Sequence, residues 1–173
     1  MGAAENTGAV WRAGLEAVRL LWIVEGLILR REAAVYRYAL IGGMVESLEV
    51  VAWADAWIGR LDECPDAVVG VSMGTSREYD LFASLAELAE KPVSDEALRL
   101  LCRMMSTFLE KHPKKLETVT HLLARLALDR AVPEEWSSEA LRFDDARWLA
   151  EDGIFDVKAV QDEVLAFLHL HGS

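Results

Sequence analysis

Apolar residues recur along most of this chain at steps of three and four, the spacing that places them on one face of an α-helix. From Trp11 the series Leu15, Val18, Trp22 and Leu29 keeps that step, and Leu20, Leu21, Ile23 and Leu27 fill more of the circumference. A helix apolar on most sides is expected to be buried on most sides, so this first element is predicted to be central. Gly42-Gly43 breaks the pattern. A second helix follows with Val45, Leu48, Val51, Ala52 and Ile58 on its core face and Trp53 and Trp57 four residues apart on an adjacent strip. After the turn Asp62-Glu63-Cys64-Pro65-Asp66, the run Ala67 to Met73 is short and valine-rich, yet a single strand would have no partner elsewhere, so a short helix is predicted.

Thr75 or Ser76 is placed to cap the next helix, whose stripe is Leu81, Phe82, Leu85, Leu88 and Ala89 and which Lys91-Pro92 ends. Ser94-Asp95-Glu96 supplies a capping hydroxyl and first-turn acids, suited to the positive end of a helix dipole. The positions Leu98, Leu101, Cys102, Met105, Phe108 and Leu109 that follow form the cleanest helical period in the chain. Pro113 interrupts the run before a helix bearing Leu116, Val119, Leu122, Leu123 and Leu126, and these two helices are predicted to form an antiparallel hairpin. Beyond Pro133, Gly153 reads as the stop of one helix and Asp156 as the cap of the last, which carries Val157, Val160, Val164, Leu165, Phe167 and Leu168. The pattern predicts an all-α fold: one domain over 1–173, a bundle of about six to seven helices packed as antiparallel hairpins.

Composition narrows the function classes. A chain of 173 residues, 53% hydrophobic and 27% charged, has ample apolar surface to offset the entropy of ordering. A net charge of -11 argues against nucleic acid, because phosphate binding needs clustered Lys and Arg. The small basic groups, Arg30-Arg31 and Lys111 with Lys114-Lys115, suit helix ends instead. Cys64 and Cys102 have neither CxxC nor zinc spacing, and Cys102 falls on an apolar stripe. The apolar block Leu20 to Leu29 is broken by Glu25 and bounded by Arg19 and Arg30, too short to span a bilayer, and no cleavage site follows it. A cytoplasmic protein without membrane contact is expected.

Candidate chemistry is sparse. His112 and His121 lie on or beside one predicted helix, and His169 and His171, two apart, point to different faces and make a poor metal clamp. Asp144-Asp145 and Glu151-Asp152 have the hard oxygen donors that Mg²⁺ or Ca²⁺ takes but lack the alternating pattern of an EF-hand. Gly70-Val71-Ser72-Met73-Gly74 matches GxSxG, a nucleophile elbow that works only where a strand feeds a strained turn above a parallel sheet, and that sheet is missing from the pattern. No catalytic residue, metal ligand or cofactor is assigned. A hydrolase using Ser72 or the clustered carboxylates remains the enzymatic alternative.

The strongest signal is charge. Between Asp129 and Asp156 nine carboxylates stand against three arginines, so this stretch holds six of the eleven excess negative charges, with Trp136, Phe143, Trp148 and Phe155 among them. Aromatic anchors ringed by acids describe a surface for a basic protein, and also describe the inward face of a solvated acidic helix. Glu134, Glu135, Trp136, Glu139, Asp144, Asp145, Trp148, Glu151 and Asp152 are the candidate partner-binding residues. A helical scaffold or oligomer binding through the Trp53/Trp57 strip is a third reading; the oligomeric state is open.

Two stretches carry a family resemblance. One is Glu49-Val50-Val51-Ala52-Trp53-Ala54-Asp55 through Leu61-Asp62-Glu63-Cys64-Pro65 and the apolar run to Ser72; the other is Phe143-Asp144-Asp145-Ala146-Arg147-Trp148-Leu149-Ala150 with Gly153-Ile154-Phe155. Together they resemble segments of the small acidic helical immunity proteins of bacterial polymorphic toxin systems. The resemblance implies a non-enzymatic protein that neutralises a cognate toxin by covering its active surface, and electrostatic complementarity makes a basic toxin domain the expected partner.

Overall fold

The computed structural model describes the backbone of residues 4–74 and 78–173 and the side chains of residues 23–74 and 80–173. The expected core positions Trp11, Leu15, Val18 and Trp22 and the caps Thr75 or Ser76 lie outside the described side chains. Eight α-helices and no strand occur among the described residues: α1 (Ala4–Ile41), α2 (Ser47–Ile58), α3 (Asp66–Ser72), α4 (Glu78–Leu88), α5 (Asp95–Lys111), α6 (Leu116–Leu128), α7 (Glu134–Glu151) and α8 (Val157–Gly172). The fold is all-α. Eight helices stand where about six to seven were expected, and the short run after Pro65 and the acid-rich segment are each a separate helix, as their patterns predicted.

Helix ends follow local chemistry. Ser94 Oγ accepts from Ala97 N at 3.3 Å and starts α5; Asp156 Oδ1 accepts from Lys158 N at 3.2 Å and starts α8. Glu46 and Glu49 form a reciprocal capping box at α2. At the end of α7, Gly153 N donates to Ala150 O and Ile154 N to Leu149 O, a Schellman turn that needs the left-handed φ of 75° at Gly153.

The second half of α1 is the shared spine of two apolar clusters. Leu29, Ala33 and Ala34 face a cluster built from α2, α3 and α4, centred on Val50, Ala54, Trp57, Val68, Val71, Leu81 and Leu85. Val35 and Tyr38 face a larger one built from α5 to α8, with Leu101, Met105, Leu109, Leu123, Leu126, Phe143, Val164 and Leu168. Among the described side chains, full burial in α1 begins at Leu29. Ile23, Val24 and Leu27 are half exposed, so the apolar circumference of that segment is not matched by burial. The alanines of α1 explain its role as spine, since small side chains let neighbouring helices approach from more than one side.

The predicted α5–α6 hairpin is a minor contact. The 3-10 turn Pro113–Lys115 redirects the chain, α6 packs chiefly on α7, and α5 packs chiefly on α8. Contacts between positions 120 and 144 and between 142 and 163 show α7 antiparallel to both α6 and α8.

Candidate functional site

Helix α7 holds eight of the nine candidate residues, and Asp152 is its C-cap. Helical periodicity sorts them onto different faces. Glu134, Leu141, Asp145, Trp148 and Asp152 fall on one outward stripe, and all five are exposed. Trp148 is 58% exposed, and the turn that follows α7 presents Ile154 at 64% and Phe155 at 50% beside it in sequence. Asp145 and Asp152 flank Trp148 at three and four residues and form no ion pair among the described residues. One short stretch of chain thus carries three exposed apolar side chains and two unpaired carboxylates.

Trp136, Glu139, Asp144 and Glu151 are engaged within the fold, while the exposed Glu135 makes no ion pair among the described residues. Trp136 turns inward to α8, 5.8 Å edge-on from the Phe167 ring and 4.0 Å from the His171 ring between centroids. Burial there pushes the His171 imidazole below its usual range, partly opposed by the Glu135 carboxylate. Glu139 pairs with Arg142 at 2.9 Å, and Arg142 also reaches Glu163 at 3.0 Å across to α8.

Asp144 and Glu151 flank Arg147, which is only 3% exposed. Arg147 Nη1 lies 2.7 Å from Glu151 Oε2, and its Nη2 lies 3.3 Å from His121 Nε2 on α6. Its Nε, 3.5 Å from Asp144 Oδ1, makes an ion-pair contact without a hydrogen bond. Asp144 also accepts from Thr120 Oγ1 at 3.3 Å and faces His121 Nε2 at 3.3 Å. Such a buried cation needs acids around it, since removing one partner leaves a desolvated charge. Asp144 therefore ties α7 to α6 and Glu151 pairs with the buried Arg147 within α7, while Asp145, Trp148 and Asp152 face solvent.

Sequence reasoning did not single out Ile154 as a surface residue or Arg147 as a buried hub, and it counted Val157 in the apolar series of the last helix, where 47% of it is exposed. Gly153 signalled where α7 stops but not which way the residues after it point.

The other candidates have structural surroundings. Trp53 Nε1 and Trp57 Nε1 both donate to Glu32 Oε2 of α1, at 2.7 and 2.9 Å. Trp57 is fully buried and Trp53 half-buried against Tyr36, with ring centroids 5.0 Å apart, so this strip faces α1. Ser72 ends α3 and its hydroxyl donates to Asp55 of α2. It therefore stands in a helix, without the strand-turn-helix of a nucleophile elbow. Both glycines of its GxSxG run sit where helices come close: an added Cβ at Gly70 stands 2.5 Å from Ser84 Oγ, and one at Gly74 stands 3.0 Å from Leu81 Cβ. Among the described residues, no three His, Cys, Asp or Glu side chains gather as a metal site, and no helix is long and apolar enough to cross a membrane. His169 pairs with Glu110 at 3.0 Å, and burial pushes the Cys102 thiol up to about 12.

Comparison with protein families, curated proteins and solved structures finds no match.

Proposed function

We propose that this protein is a non-enzymatic binding module of the immunity type, acting in the cytoplasm by covering the active surface of a basic toxin domain. One observation carries the reading: Trp148, Ile154 and Phe155 are half exposed or more, in one short stretch of chain with the unpaired carboxylates of Asp145 and Asp152. Exposed large aromatic and aliphatic side chains supply contact area that gains free energy when desolvated, and free acids next to them steer a cationic partner into place. Acids already paired within the fold contribute less to such a contact than free ones, so the outward stripe of α7, rather than the whole acidic segment, forms the docking face.

The test is recovery of a partner from native lysate, followed by calorimetry of the purified pair at two salt concentrations. The expected complex is one-to-one, with a basic protein, and weakens as salt rises. Trp148→Ala is expected to cost about 2 kcal/mol or more of binding while changing folding stability by no more than about 0.5 kcal/mol. Charge reversal at Asp145 and Asp152 is expected to slow association and flatten the salt dependence. Full affinity in the folded triple variant would place the interface elsewhere, and an acidic partner would overturn the basic-toxin reading.

A further inference from the structure

A cleft of ≈ 330 Å³ opens where the two apolar clusters meet. Three separate segments line it: Arg37 and Tyr38 from α1, Glu90 and Lys91 from the connection between α4 and α5, and Asp129 and Arg130 from the connection between α6 and α7. Its two acids are already engaged. Glu90 accepts from the backbone N–H of Ser94 at 2.9 Å and from the Ser94 hydroxyl. Asp129 accepts from Arg125 Nε at 3.2 Å and from the Tyr38 hydroxyl at 3.4 Å. Arg37, Lys91 and Arg130 make no ion pair among the described residues. In a chain with 29 acids and 18 bases, three such cations around one concavity run against the overall bias.

Arg130 supplies a second observation. It adopts φ 52°, the left-handed region, at the turn where Arg130 N donates to Ala127 O and Ala131 N to Leu126 O. The same Schellman turn ends α1 and α7, and there the left-handed residue is Gly43 and Gly153. Glycine takes that conformation freely, whereas a residue with a Cβ pays about 1 kcal/mol for it. Strained residues cluster at functional sites, which makes the Arg130 side chain a candidate for a task that glycine lacks.

We propose that this cleft binds a small anion with phosphate-type oxygens, held by the guanidinium groups of Arg37 and Arg130 and the ammonium of Lys91. Guanidinium groups match phosphate geometry in a bidentate fork, and a lysine adds a point charge. The volume admits a ligand of pyrophosphate size or somewhat larger. The site is independent of the α7 surface and stands or falls separately from it.

The experiment is thermal unfolding of the full chain in low-salt buffer with sodium pyrophosphate, against sodium chloride at matched ionic strength. The chloride series is needed because any salt screens the self-repulsion of a chain at net charge -11. Pyrophosphate is expected to raise Tm beyond chloride and to saturate, as binding to the folded state requires. Arg37→Gln and Lys91→Gln are each expected to weaken the apparent affinity about tenfold, the usual scale for a lost charged hydrogen bond. Arg130→Gly is expected to keep or raise the anion-free Tm and still lose affinity, which separates a binding role from a folding role. Lys115→Gln, a remote loss of equal charge, is expected to bind as the parent does. A Tm rise no larger than with chloride, equal affinity in the three cleft variants, or an equal loss in Lys115→Gln would overturn the site.

Discussion

The two sides of α1 both bury alanines and large side chains, but at the contact of α3 with α4 two glycines bring the elements close. There Gly70 meets Ser84 and Gly74 meets Leu81. On the α5–α8 side, long side chains interdigitate, with Leu101, Met105, Leu109, Leu123, Leu126, Phe143 and Leu168 all sealed from solvent. The glycine contact has little room for an added atom, and the large side chains fill volume that truncation would empty. The candidate docking stripe belongs to the α5–α8 side, on the outer face of a helix whose inner face carries Phe143. That helix can vary outward without disturbing its core.

The largest effect expected from this contrast is at Phe143. Phe143→Ala is expected to cost about 3–5 kcal/mol in urea unfolding, because the vacated volume lies in the larger cluster. Since α1 contributes to both clusters, the variant is expected to unfold in a single transition by fluorescence and by circular dichroism. Two separable transitions would show that the sides are coupled more weakly than their shared spine implies.

An enlargement tests the other side. Gly74→Ala is expected to cost about 1–3 kcal/mol, since the new methyl would stand against Leu81 Cβ and Cα. Gly26→Ala, with nothing within 4 Å of the added carbon, is expected to stabilise by about 0.5–1 kcal/mol through helix propensity. A loss at Gly26 equal to that at Gly74 would break the assignment of tight approach to α3 and α4.

The smallest effect is a pH dependence at the α7–α8 seam. Burial lowers the His171 pKa in the folded state below its ordinary 6.5, so the unfolded chain takes up this proton first as pH falls. The resulting stability is present above about pH 6.5 and declines as pH drops through that value toward the lower folded pKa. Comparing the parent with His171→Gln at about pH 7.5 and about pH 5.5 is expected to show the parent losing relatively more stability on acidification. An identical change in both would mean that the contact with Trp136 does not desolvate the ring.

Much of this protein was legible in its residues because it concerns bonds made within a few positions. Ser94 and Asp156 cap the helices that their side chains can reach, and Gly153 ends α7 because the left-handed turn favours glycine. The stripe from Leu98 to Leu109 makes α5 amphipathic wherever the helix goes. Non-local choices were not legible. Nothing in the spacing of Trp136 and Trp148 says that one packs on Phe167 while the other faces solvent, because that depends on which side α8 covers. Nor does it say that Arg147 is buried with Asp144 and Glu151, or that Trp53 and Trp57 share Glu32. The glycines around Ser72 read as a catalytic turn in one dimension and as close helix packing in three. Helix periodicity fixes which residues share a face, whereas the pairing of α5 with α8 and of α6 with α7 decides which faces meet water, because burial is a sum over contacts distant in the chain.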